Sequence, residues 1–139
     1  MRVHVHAAIW IEDELVVHRR AQRGREHLSL PGGRVRERET VHGALHREVN
    51  EETGLEIEVG DLLLVGEVNA SSLHGLVLVF SAVFRDSGEY IEPHLIDPRS
   101  AAAGKVLPPV LDRLLASRSA EHTRGPGWVG NIYEATHQT

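Results

Sequence analysis

The stretch from Val3 to Ile11 opens on alternating apolar and polar residues, with β-branched side chains well represented. A period of two with that composition predicts a strand. The polar step Glu12-Asp13-Glu14 turns the chain into a second strand, Leu15 to Arg19. Arg19 to Glu26 is charged and contains Gly24, which predicts a loop. Leu28 and Leu30 alternate into Pro31-Gly32-Gly33, where two glycines permit unusual backbone angles and close approach to a ligand. The period then changes. Val41, Ala44, Leu45 and Val49 form a helical apolar stripe, with Thr40 placed as N-cap and Gly54 as a left-handed stop. Glu56 to Val59, Leu62 to Val68 and Leu76 to Phe84 read as later strands; the last is nearly continuously apolar, as in a strand buried on both faces. Val106, Leu107, Val110, Leu111, Leu114 and Leu115 predict a second amphipathic helix, with Pro108 and Pro109 near its start. Ser117 to Gly127 reads as a loop, and Trp128 to Tyr133 as a short returning strand.

Strands, helix, strands, helix is the order of an α/β fold with helices on both faces of a mixed sheet. The chain has 139 residues, no internal repeat and no linker-like tract, so it is expected to form a single domain, 1–139, with a hydrophobic core of its own. No cysteine is present, which excludes disulfides, zinc-thiolate sites and thiol nucleophiles. No apolar run reaches membrane-spanning length, and the N-terminus lacks a signal-peptide block. The cytoplasm is the expected location, with no membrane partner. A net charge of −5, with histidine neutral, gives no basic field for gripping nucleic acid. A phosphorylated ligand would need local cations, either a metal or arginines.

The first predicted helix carries the chemistry. Glu48, Glu51 and Glu52 stand at i, i+3 and i+4, on one helix face. Three like charges there repel one another. A divalent cation reverses that repulsion, and carboxylate oxygens suit a hard ion such as Mg²⁺. An ordinary solvated acidic face is the competing explanation. The surroundings decide against it. Gly33, Glu39, Arg47, Glu48, Val49, Glu51, Glu52, Gly54 and Leu55 fill every fixed position of the pattern Gly-x5-Glu-x7-Arg-Glu-aliphatic-x-Glu-Glu-x-Gly-aliphatic, after a Leu30-Pro31-Gly32 lead-in. This stretch resembles the Nudix box, and so many fixed identities make the match specific.

The resemblance implies a Nudix-type α/β/α sandwich with a mixed β-sheet between helices, and a hydrolase acting on acid anhydrides. Mg²⁺, or Mn²⁺, would be the cofactor, and the substrate a small-molecule nucleotide whose diphosphate is linked to another moiety. It implies Glu51 and Glu52 as principal metal ligands and the Gly32 carbonyl as a further one. Glu48 would be ligand or general base, and Arg47 would orient the carboxylates with Glu39 as its partner. Members of the family often add a carboxylate after the long strand. Glu92 is the candidate here, with Asp86, Glu89, His94 and Asp97 as alternatives. Arg19, Arg20, Arg23, Arg25, Arg34 and Arg36 could clamp a diphosphate, although each alone is more readily a surface arginine. Trp10, Tyr90, Trp128 and Tyr133 could stack on a base, or pack in the core. The serines, including Ser29, lack a nucleophile-elbow context. Ten histidines show metal-ligand spacing only at His4/His6 and His42/His46. The stretch Ala70-Ser71-Ser72-Leu73 has neither the Pro nor the Tyr that marks some substrate classes, so nucleoside triphosphates, ADP-ribose-like compounds and nucleotide sugars stay open. So does homodimerisation. The rival reading is a catalytically silent Nudix-fold sensor, which would be free to lose its carboxylates.

Overall fold

The computed structural model describes residues 1–22, 24–70, 73–85, 92–100, 104–119 and 127–132. Arg23, Ser71, Ser72, Asp86, Glu89, Tyr90 and Tyr133 lie outside the described residues. In chain order the elements are β1 (Arg2–Ala8), β2 (Trp10–Ile11), β3 (Glu14–Gln22), β4 (Arg25–Ser29), β5 (Gly32–Arg34), α1 (Val41–Thr53), β6 (Ile57–Ala70), β7 (Leu73–Phe84), β8 (His94–Ile96), β9 (Val106–Leu107), α2 (Leu111–Ser119) and β10 (Gly127–Asn131).

One mixed sheet runs β10-β6-β7-β1-β5, and a second runs β2-β3-β4-β9 with β8 on β3. β1 and β7 pair in parallel, while β5 lies antiparallel on β1 with His6 opposite Gly32 and Val5 opposite Gly33. Alternation along β1 and β7 sends side chains to two cores. Val5, Ala7, Ile9, Phe80 and Ala82 pack with Ala44, Leu45 and Val49 of α1. Ala8, Val77 and Val79 pack with Leu111 and Leu114 of α2. The two helices therefore cover opposite faces of the sheet, the arrangement expected from the element order. Leu45 is fully buried, and cutting it to alanine would cost about 2–5 kcal/mol.

The caps of α1 are as expected. The Thr40 hydroxyl accepts from Gly43 N at 2.9 Å, and Gly54 ends the helix at φ 74°. Ser117 to Ser119 belong to α2 and not to the loop expected from Ser117, and the strand expected from Val3 to Ile11 breaks at Ile9 into β1 and β2. Three larger differences follow. Arg19 to Glu26 is not a loop: β3 and β4 form a hairpin pairing Arg19 with Leu28 through Gln22 with Arg25. This ribbon extends past the core, so neither face demands the apolar alternation that signals a strand. Glu56 to Val59 and Leu62 to Val68 join into one strand, because a bulge absorbs Gly60 and Asp61, with Asp61 N donating to Ser81 Oγ at 2.8 Å. Val106 and Leu107 are strand, paired with Leu28 and Ser29. A proline excludes its predecessor from helical angles, so the helix starts only after Pro109. Among the described residues, no helix is long and apolar enough to cross a membrane.

Candidate metal and active site

The site forms where α1 passes the Gly32-Gly33 strand. Gly32 sits at φ 145°, and a Cβ there would lie 2.1 Å from the Val5 carbonyl oxygen. Only glycine allows β5 to approach β1 so closely. The buried His6 completes this support, its ring Nδ1–H donating to the Leu30 carbonyl at 3.1 Å. Burial lowers its pKa to about 4, against the opposing pull of that bond, so the ring is neutral near pH 7. Gly33 leaves room for a side chain: Glu48 packs where a Cβ would otherwise stand.

Arg47 is the hub of one half. Its Nε and Nη2 donate to the two oxygens of Glu39 at 2.7 and 2.8 Å, a bidentate fork. Nη1 donates to Glu48 Oε1 at 2.8 Å and reaches Glu51 Oε2 at 3.5 Å. Nη2 also donates to the Arg34 carbonyl at 3.2 Å, tying α1 to β5. The Arg47 hydrogen bonds hold the Glu39 pKa down at about 2, helped by the Arg36 amide. The pairing of Arg47 with Glu39 expected from the sequence is thus present, and it fixes the Glu48 carboxylate.

Glu52 is the centre of the other half. Its side chain is 8% exposed, while that of Glu51 is 53% exposed. Gly32 N donates to Glu52 Oε2 at 3.1 Å, and Arg20 Nη2 donates to Glu52 Oε1 at 2.7 Å. The same Arg20 nitrogen donates to the Gly32 carbonyl, and Arg20 Nε donates to Ser29 Oγ at 2.9 Å. Burial raises the Glu52 pKa to about 7 despite Arg20 and the Gly32 amide, with Glu48 and Glu51 pushing the same way. Burial also lowers the His18 pKa, as does Arg20, while Glu48 opposes.

Sequence reasoning treated Arg20 as one surface arginine among several and did not single out His18. The available signal was the period of β3: Val16 packs in the α1 core, so His18 and Arg20, two and four residues on, emerge toward α1. Which carboxylate they meet depends on a contact spanning 32 residues.

A cleft of about 240 Å³ opens beside Glu52, lined by His18, Arg19, Glu92, Pro93 and His94 among others. Glu92 therefore faces the same opening as Glu52. His94 is there too, whereas Asp97 is spent on its own turn, accepting from Arg99 N at 2.9 Å. A second hollow of about 290 Å³ shares Arg19 and His94 and continues to Glu26, His27 and Leu28. The Arg118 guanidinium lies 4.0 Å from the Trp10 ring centroid and covers one face of it. Trp128 is exposed on β10.

The donor set is all oxygen: Glu48, Glu51, Glu52 and the Gly32 carbonyl. Two of these oxygens already meet one cationic nitrogen, so this spot accommodates positive charge and fits a hard divalent ion. Among the described residues, no three carboxylate or imidazole groups converge on one point. Glu48 is turned to Arg47, and Glu51 points outward.

The sequence model of the NUDIX domain matches residues 1–109. Among solved structures, a NUDIX hydrolase from Nitrosomonas europaea superposes with a TM-score of 0.70 at 22% identity, over 86% of this chain and 88% of that one. A MutT NUDIX hydrolase from Burkholderia pseudomallei is 30% identical, with a TM-score of 0.55, over 70% of this chain and 74% of its own. An ADP-ribose pyrophosphatase from Streptococcus suis is 17% identical with a TM-score of 0.62, over 94% and 98%. No curated protein matches the chain.

Proposed function

This chain belongs to the NUDIX domain family, and on that premise we propose that it is a metal-dependent pyrophosphohydrolase that cuts a phosphoanhydride in a nucleotide whose diphosphate carries another group. The observation that carries this reading is the convergence of the buried Glu52 carboxylate and the Gly32 carbonyl on one cationic nitrogen, beside Glu48 held by Arg47.

In this reading Glu51, Glu52, Glu48 and the Gly32 carbonyl would hold Mg²⁺ or Mn²⁺. The ion would lower the pKa of water and offset the negative charge that builds on the phosphoryl group. Water attacks phosphorus, the bridging P–O bond breaks, and a carboxylate takes the water proton. Glu48 is the first candidate for that base, and Glu92, which lines the same cleft as Glu52, is the second; such a base contributes about 10²–10⁴-fold. Arg47 and Glu39 are positioning residues, because their fork sets where the Glu48 oxygens lie. The cleft beside Glu52, and the neighbouring hollow that shares Arg19 and His94 with it, offer space for the rest of a small nucleotide.

Nucleoside triphosphates, ADP-ribose and nucleotide sugars form the test panel, incubated with Mg²⁺ while phosphate, pyrophosphate or nucleoside monophosphate is followed. The expected result is turnover of at least one class, lost with chelator and restored by excess Mg²⁺. Saturable nucleotide binding without turnover of any would overturn the proposal in favour of a sensor.

A further inference from the structure

We propose that Arg20 is a built-in counter-cation of the metal site, which neutralises Glu52 in the metal-free protein and must leave before a divalent ion can enter. The inference rests on the metal reading above and adds a competitor to it. One nitrogen, Arg20 Nη2, donates both to Glu52 Oε1 at 2.7 Å and to the Gly32 carbonyl. These are two of the oxygens assigned to the metal. The nitrogen that bridges these two oxygens stands where an ion bridging them would stand, and two cations repel there, so binding is an exchange rather than an addition.

The surroundings suit an exchange. The Glu52 side chain is 8% exposed and is pinned by Gly32 N. It stays in place. The Arg20 side chain is 35% exposed, and it stands on the β3–β4 ribbon at the edge of the core. Among the described residues its other hydrogen-bond partner is the Ser29 hydroxyl, a neutral acceptor that holds it weakly. The arginine is thus the more exposed and more readily displaced member of the pair. A buried carboxylate left without a cation is strongly destabilising. With Arg20 present, Glu52 is compensated in both states, by guanidinium before loading and by metal after it. The consequence is that Arg20 weakens metal affinity while stabilising the metal-free fold. A purely architectural arginine would do the opposite to affinity, because removing it would disorder a ligand.

The test is Mn²⁺ binding, counted from the free-ion signal in electron paramagnetic resonance, for wild type, Arg20→Met and Arg20→Gln. Melting temperatures are recorded with and without Mn²⁺. Arg20→Gln keeps a hydrogen-bonding group for Ser29 and Glu52 and guards against loss of folding in the methionine variant. Glu52→Gln is the control for site identity. Both Arg20 variants are expected to bind Mn²⁺ about tenfold more tightly, the scale of one charge-assisted hydrogen bond. They should melt lower than wild type without metal, and Mn²⁺ should raise their melting temperature by more. Folded Arg20 variants with unchanged or weaker Mn²⁺ affinity overturn this inference alone. A wild type with no saturable Mn²⁺ site, or one that survives in Glu52→Gln, overturns the metal reading itself.

Discussion

Replacing Gly33 by alanine should damage catalysis more than it damages stability. The added Cβ would stand 2.6 Å from Glu48 Cδ and 2.8 Å from each of its oxygens. Ordinary carbon contacts begin near ~3.5 Å, so the carboxyl group must retreat by about 1 Å. Arg47 Nη1 now holds Glu48 Oε1 at 2.8 Å, and a bond stretched to about 3.6 Å is no longer a hydrogen bond. The backbone need not move. Gly33 is not among the residues with positive φ, and what blocks the methyl group is the end of a flexible side chain. The lost bond joins two charged groups and costs about 1.5–3 kcal/mol. The reduced freedom of the unfolded chain returns about 0.4–1 kcal/mol, so stability should fall by about 0.5–2.6 kcal/mol. Turnover is another matter. A misplacement of about 1 Å can cost ~10²-fold, and here the displaced group is a proposed ligand or base. Steady-state kcat at saturating Mg²⁺, with urea denaturation alongside, reads both quantities. Gly104→Ala is the control, because nothing lies within 4 Å of a Cβ added there. Wild-type kcat in Gly33→Ala would refute the argument, and so would a loss of stability large enough to account for the lost activity.

Three further outcomes follow from the same geometry. Glu51→Gln and Glu52→Gln should each remove most of the turnover. Only the buried Glu52 should affect melting, since the 53% exposed Glu51 side chain has solvent to compensate it; a clear drop in melting temperature for Glu51→Gln would make that residue structural. The Glu52 pKa is raised from 4.5 to about 7 by burial. Its contribution to the metal-free fold is therefore fully present below about pH 4.5 and is lost as pH rises through about 7. Melting of wild type relative to Glu52→Gln should fall across that window, and saturating Mg²⁺ should flatten the trend; a pH-independent difference in the metal-free proteins would contradict it. Glu48→Gln should lower turnover by about 10²–10⁴-fold, and Glu92→Gln by much less. Mn²⁺ titration of both variants separates a lost base from a lost ligand, and the reverse order would move the base to Glu92.

Much of α1 was legible in the sequence because its signals are local. The Thr40 cap, the Gly54 stop, the Val41-Ala44-Leu45-Val49 stripe and the placement of Glu48, Glu51 and Glu52 on one face all follow from spacing within a few turns. The apolar run of β7 likewise announced a strand with two covered faces. What spacing could not supply was the identity of the neighbour. Period two directed Arg20 toward α1, yet its meeting with Glu52 depends on how β3, β4 and β5 pack beside the helix. Glu51 and Glu52 are adjacent and chemically identical, and only the tertiary structure makes one exposed and the other buried. The β3–β4 ribbon was misread because strands beyond the core need no alternation, and the joined β6 because a bulge can absorb Gly60 and Asp61. Periodicity tells a residue which way to face. Burial, and with it the charge state and partner of Glu52, is decided by whatever distant segment arrives on that face.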